Sequence, residues 1–234
     1  MTKQKIQKTK WKAGNMIYPL PAVMVSCGDE ERANIVTVAW TGTICTNPAM
    51  TYISLRPSRY SYELIKETGC FVINLTTESI VKATDFCGVK SGREIDKFKV
   101  MNLTVMRDEE TNCPMIGESP VSIICETVEI KELGSHHMFI AQVKSVYVDE
   151  SYMDEKGKFK LNETGLIAYS HGSYLSTGKE LGTFGYSISK KKPINKSSKE
   201  EVKKFSNSKA KQKRKVKEGQ KKIKTSHKNK GKRK

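Results

Sequence analysis

Residues 34–61, N-I-V-T-V-A-W-T-G-T-I-C-T-N-P-A-M-T-Y-I-S-L-R-P-S-R-Y-S, decide how the chain is read. The β-branched Ile35, Val36 and Val38 surround Thr37 and lead to Trp40, a strand pattern. Gly42 and Asn47-Pro48 interrupt it, and residues 50–55 form a second strand. Arg56-Pro57 ends that strand, because proline has no N–H to give a ladder. Residues 58–61 then lead into an expected helix over 62–67. Hydroxyls, one indole and two arginines thus gather at two strand ends and a helix start. That suits a phosphate, since helix N-termini and hydroxyls donate hydrogen bonds and guanidinium forks grip oxygens. The same pattern also fits an ordinary hairpin with threonines on its exposed face.

On the N-terminal side, residues 18–26 are apolar and punctuated by prolines, which predicts a first strand. The turn signal C-G-D-E-E-R at 27–32 pairs it with the strand at Ile35 as a hairpin. On the C-terminal side, Gly69 precedes a short buried strand over 70–75, and 78–86 reads as a helix. Residues 87–98, C-G-V-K-S-G-R-E-I-D-K-F, follow. Gly88, Ser91 and Gly92 allow close backbone approach there, and Lys97 stands where the chain turns apolar again. Strand-like runs cover 103–106, 122–130 and 138–148. Gly134-Ser135-His136-His137 joins the last two as a long hairpin. A charged connection over 149–160 and a short apolar run over 166–169 complete the order. Many short strands with two or three short helices predict an all-β barrel or sandwich with helical insertions.

The formal charge of +17 is unevenly placed. Residues 190–234 hold 21 Lys/Arg against three Glu, while residues 1–189 hold the other 21 against 22 acids. The expected organisation is therefore a near-neutral domain over 1–189 and a disordered basic tail over 190–234, too poor in apolar residues to bury a core. The tail's K-Q-K-R-K-V-K run suits a localisation signal or loose polyanion attraction, and equally a solubilising role. No apolar run reaches the ~18 residues of a membrane span, and the lysine-rich start has no apolar h-region behind it. The six cysteines, widely spaced and without C-x-x-C, read as reduced thiols of a cytoplasmic protein. The N-x-T triplets at Asn74, Asn102 and Asn162 then read as chance matches.

Several familiar sites are absent. There is no G-x-G-x-x-G, no G-x-x-x-x-G-K-[ST], no H-E-x-x-H and no G-x-S-x-G. His136, His137 and His171 have no recognisable triad partners. His136 and His137 are adjacent at a strand start, so only one can face a given site. What remains is a ligand-binding set of hydroxyls, Arg56, Lys97, Gly88, Gly92 and the aromatics Trp40 and Tyr169. A flavin mononucleotide asks for this mixture: a cation and donors for its phosphate, a flat apolar wall and polar donors for its ring. Nucleotides and sugar phosphates ask for similar groups.

In order, the strings N-I-V-T-V-A-W-T-G-T, S-L-R-P-S-R-Y-S, D-F-C-G-V-K-S-G-R-E-I-D-K-F and H-H-M-F-I-A-Q-V closely resemble the flavin reductase-like, FMN-binding split-barrel family, and within it the flavoredoxin group. The resemblance covers about residues 14–189 and none of the tail. It implies a mainly β fold, a six-stranded antiparallel split barrel with Greek-key connections and short helical insertions. It also implies a homodimer with non-covalent FMN near the subunit interface. Its motifs place cofactor-binding roles on Asn34, Thr37, Trp40, Thr41, Ser54, Arg56, Ser58, Ser61, Cys87, Gly88, Ser91, Lys97, His136 and Tyr169. Ser61 stands where many relatives have Thr. Cys87 reads as a packed thiol, since it has no resolving partner. The implied activity is an FMN-dependent oxidoreductase fed by NAD(P)H, or an electron carrier fed by a redox protein. The other class in play is a nucleic-acid- or polyanion-binding β-barrel acting through its tail.

Overall fold

The computed structural model describes residues 6–189. The chain divides into two units at Gly178/Lys179, and the described part of the first is compact. Of the second, the described residues are coil and turn. The expected disordered, polyanion-attracting tail over 190–234 lies outside the described residues.

The expected strand over 18–26 is two strands. β1 (Leu20–Pro21) leaves the line at Ala22, and β2 (Val23–Cys27) continues it. β2 pairs with β3 (Asn34–Val38) as the expected antiparallel hairpin, Val25 opposite Val36. Gly28 makes its turn at φ +114, and a Cβ there would stand 1.9 Å from the Arg32 carbonyl oxygen. Only glycine fits that approach.

β4 (Thr41–Thr46) and β5 (Ala49–Leu55) form a second hairpin about Asn47-Pro48. Helix α1 (Tyr60–Thr68) ends at the left-handed Gly69, and β6 (Cys70–Leu75) follows at once. A 3-10 turn at Glu78–Ile80 runs into α2 (Val81–Val89), and α3 (Lys97–Val100) is a single turn. β7 (Val105–Arg107) and β8 (Pro114–Ile116) pair with each other. The long hairpin is β9 (Val121–Leu133) with β10 (His136–Val148), turned at Gly134 with φ +57. β11 (Ile167–Ser170) and β12 (Ser173–Ser176) make a small sheet with β1.

The main sheet runs β3-β2-β6-β9-β10-β5-β4, every pairing antiparallel. It curls, because its two end strands, β3 and β4, are joined by Ala39-Trp40 alone and so must come close together. Val25, Val36, Val38, Ile53, Leu55, Phe71 and Phe139 fill the interior so enclosed. Each of the two phenylalanines, fully buried, contributes about 1.5–3 kcal/mol. This is the expected mainly β split barrel, with seven strands in its main sheet because residues 41–46 form a strand of their own. α2 and α3 cover the outer face of β2 and β3, packing Ile80, Ala83 and Phe98 on Met24 and Ile35. Both faces of β2 are therefore buried, which is why it reads as a continuous apolar run.

One polar group sits inside this arrangement. Asn74 of β6 donates through Nδ2 to the Met24 and Val72 carbonyls and to Ser26 Oγ, at 3.0, 3.2 and 2.9 Å. Its Oδ1 accepts from the Ile116 N–H at 3.0 Å and Ser122 Oγ at 2.9 Å. A core amide is tolerated when its donors and acceptors are all used, as here. It ties β2, β6, β8 and β9 at one point. Among the described residues no helix is long and apolar enough to cross a membrane.

Candidate functional site

β3, the start of α1 and the segment after α2 bound a cavity of about 440 Å³. Arg56, Arg59, Lys90 and Lys97 line it with Asn34, Ser58, Ser61, Ser91 and Gly92, and no carboxylate does. A smaller space of about 130 Å³ shares Val36, Arg56 and Arg59 with it and adds Thr37, Trp40, Ser54 and His136. A third, of about 290 Å³, shares Thr37 and Ala39 with the second and adds Asp85, Gly88, Tyr169 and Tyr174. Shared residues along β3 link the three: a cationic end, an aromatic middle and a tyrosine-rich end.

The cationic end is built around α1. Its N-cap residue, Arg59, makes no side-chain capping bond, so first-turn N–H groups and the positive end of the helix dipole lie at the cavity wall. Asn34 Nδ2 donates to Ser61 Oγ at 2.8 Å. Ser61 therefore keeps its own hydroxyl proton for another acceptor. Ser91 is similar: its Oγ accepts from the Arg93 N–H at 3.2 Å. Gly92 must be glycine in this packing, since a Cβ would stand 2.0 Å from Asn34 Oδ1. Arg93 points elsewhere, bonding the Ser58 carbonyl at 3.1 Å and pairing with Glu63 at 3.2 Å.

Lys97 is buried, and Nζ donates to the carbonyls of Ile35 at 2.6 Å and Cys87 at 2.8 Å. Burial pulls its pKa below the ordinary lysine value, and the Arg59 charge adds to this. The two carbonyls hold the ammonium in place and tie α2 to β3. Cys87 is a packed thiol: it is fully buried, and burial pushes its pKa up to about 11.

In the middle, Trp40 and His136 lie with ring centroids 4.4 Å apart. Burial, then the Arg56 and Arg59 charges, holds His136 below the ordinary histidine pKa. His137 turns to the opposite face, where Nδ1 meets the Tyr62 hydroxyl at 2.8 Å. The two adjacent histidines thus serve different sides, as strand alternation requires. At the far end Tyr169 lies 5.5 Å from Tyr174 between centroids. Tyr174 donates to Asp85 Oδ1 at 3.3 Å, and burial, then that carboxylate, pushes it up to about 12.

Residues 15–177 match the family model described as flavin reductase like domain. The chain belongs to the flavin reductase-like family. The flavoredoxin of Desulfovibrio vulgaris (Miyazaki F) superposes with a TM-score of 0.72 at 30% identity, covering 78% of this chain and all of that one. The flavoredoxin of Methanosarcina acetivorans gives 0.72 at 28%, covering 79% of this chain and 100% of that one. An uncharacterized protein of Aeropyrum pernix is 28% identical over 138 residues, covering 58% of this chain. The chain spans about half, 52%, of that relative's length.

Within this flavin reductase-like domain the structure gathers Asn34, Arg56, Ser58, Ser61, Ser91 and Lys97 on one cavity. Thr37, Trp40, Ser54 and His136 gather on the second, and Gly88 and Tyr169 on the third. Two residues differ from the sequence expectation. Thr41 lines none of the three cavities, and its hydroxyl donates to the Tyr52 carbonyl at 2.6 Å, a cross-strand bond. Thr37 lines two of them, but its hydroxyl donates to the Thr84 carbonyl of α2 and offers only lone pairs outward. Cys87 reaches the site only through its backbone carbonyl. Gly88 sits in the last turn of α2, where a Cβ would meet Thr37 Cβ at 3.2 Å, so it serves helix–strand packing as well.

Sequence reasoning missed Lys90, Asp85 and Tyr174, and counted Arg59 among the two arginines suited to a phosphate without assigning it a cofactor role. Arg59 was signalled by its place before a helix start, as the second arginine of R-P-S-R. Asp85 and Tyr174 are brought together across 89 residues by packing, and no local pattern announces that.

Proposed function

We propose that this chain binds FMN without a covalent bond and works as an oxidoreductase or electron-transfer protein of flavoredoxin or flavin reductase type. The observation that carries the reading is the continuous lining along β3, cationic and hydroxyl-rich at one end and aromatic beyond it. The donor set fits a phosphate ester. Arg56 and Arg59 supply charge, α1 an uncapped N-terminus, and Ser61 and Ser91 unused hydroxyl protons. Trp40, His136, Thr37 and Tyr169 would flank the ring. Bound FMN supplies hydride and single-electron chemistry. The protein's part is position and field. Lys97, fixed by two carbonyls, and the two arginines hold positive charge beside the cavity, which favours negative charge there.

The same reading assigns NAD(P)H or a reduced redox protein as donor, a homodimeric assembly and a cytoplasmic setting. Exposed Val128 and Leu133 on β9 and Val146 on β10 supply apolar surface for a second copy. Light scattering on the eluted peak tests the dimer. The test of function is the visible spectrum of purified protein with FMN, before and after anaerobic NADH or NADPH. A bound-flavin spectrum bleached by nicotinamide makes it a reductase. One bleached only by a reduced protein donor or dithionite makes it a carrier. Protein that leaves the free-FMN spectrum and fluorescence unchanged overturns the proposal.

A further inference from the structure

Residues 90–96 join α2 to α3 without a helix or strand of their own. Lys90, Ser91 and Gly92 line the cationic cavity, and Arg93 does not. Its side chain reaches instead to the start of α1. One terminal nitrogen donates to the Ser58 carbonyl at 3.1 Å, and the other to Glu63 Oε2 at 3.2 Å. Its Cζ lies 5.2 Å from the centroid of the Tyr60 ring, a cation–π distance. An isolated exposed ion pair holds little. Here one planar fork makes two directed bonds and a ring contact to a single turn of chain, which a lysine cannot reproduce.

The Ser58–Arg59 peptide is thereby held at both ends. Its carbonyl accepts from Arg93, and its N–H donates to the Arg56 carbonyl at 3.0 Å. Arg56 and Arg59 are the two arginines that line the cavity, so this peptide sets how they stand. Electrostatics adds a second reason. Glu63 is in the first turn of α1, where its carboxylate competes with any bound anion for the positive end of the helix. Arg93 pairs with that carboxylate and offsets the competition.

We propose that Arg93 is a positioning residue, a latch that holds the 90–96 segment against the start of α1 so that the cationic cavity stands assembled before a ligand arrives. It touches no ligand and acts through Ser58, Arg59 and Glu63. The effect on FMN rests on the phosphate reading of this cavity given above. Pre-organisation raises affinity by removing the ordering cost from the binding step. That gain belongs to the phosphate end alone, so a flavin without a phosphate should not feel it.

The test uses the full chain, freed of flavin and titrated with FMN and with riboflavin by flavin fluorescence. Arg93→Ala should weaken FMN binding by roughly 3- to 30-fold and leave riboflavin binding within about twofold of the parent. Arg93→Lys, which keeps the charge near Glu63, should recover part of the loss. Adding Glu63→Gln to Arg93→Ala should also recover part, because it removes the charge that Arg93 had offset. Hydrogen exchange on the flavin-free chain reads the latch with no ligand present. Peptides covering 57–63 and 90–96 should exchange roughly threefold faster or more in Arg93→Ala, while those from β9 and β10 match the parent. Equal losses for FMN and riboflavin, no loss for FMN, or unchanged exchange in both segments overturns the proposal. A parent chain that binds neither flavin overturns the flavin reading, and the exchange result by itself then upholds or overturns the latch.

Discussion

Gly92→Ala adds one methyl group, and the outcome turns on Asn34. Gly92 does not lie in the left-handed region, so alanine there carries no backbone strain. Restricting the unfolded chain would by itself stabilise the protein by about 0.4–1 kcal/mol. The new Cβ would lie 2.0 Å from Asn34 Oδ1 and 2.6 Å from its Cγ. Asn34 is 4% exposed and bonded to Ser61, so it must turn and break that bond. Overpacking costs about 1–3 kcal/mol and a stranded buried polar group about 1–3 more. The crowding wins, leaving a net loss of about 2–4 kcal/mol, or a midpoint lower by roughly 5–15 °C. Thermal denaturation followed by circular dichroism reads it. The decisive comparison is the same substitution in an Asn34→Ala background, where the obstacle is gone and Gly92→Ala should cost less than about 0.5 kcal/mol. An equal loss in both backgrounds would refute the reasoning.

Other expectations follow from the same site. Arg56→Ala and Arg59→Ala, both on exposed side chains, should weaken FMN binding by roughly 10- to 100-fold each by fluorescence titration, with the midpoint of flavin-free protein unchanged. Lys97→Met leaves the Ile35 and Cys87 carbonyls without their donor and should cost about 2–5 kcal/mol in denaturant unfolding. His136 has a lowered folded pKa, so as pH falls through the ordinary histidine value the unfolded chain takes the proton first. Stability should therefore drop below about pH 6.5 until the folded pKa is passed, and His136→Asn should flatten that part of the midpoint-versus-pH curve.

The two long hairpins were legible because alternation and turn residues act locally. β2–β3 and β9–β10 pair as read, although β9 and β10 run on to Leu133 and from His136, taking both histidines into the strand. Residues 18–26 were read as one strand because their apolar run is continuous, yet the chain changes sheets at Ala22. Nothing in a run of apolar residues records which neighbour it will pair with. β8 and β12, of three and four residues, are too short to show a period. Three of the six residues 41–46 are threonines and the segment is an edge strand, so no apolar face marked it. In the site, the positions near β3 and α1 were legible because one segment carries both. Hydroxyl chemistry was not, since Thr37 gives its proton to a carbonyl of α2 that only tertiary packing brings near, and Thr41 gives its own across the β4–β5 hairpin.

Asn74 has a bearing on how such a chain could be made. Asn74-Leu75-Thr76 is an acceptor triplet for N-linked sugar, as are those at Asn102 and Asn162. The latter two side chains are exposed and would carry an oligosaccharide without harm to the barrel. The Asn74 amide is fully buried at the junction of four strands and has no room for a glycan. A chain modified there during synthesis would lose the junction before it formed. Secretion of this protein from a glycosylating host should thus call for Asn74→Asp, which keeps the acceptor oxygen but gives up the donors, or Thr76→Val, which keeps the amide whole.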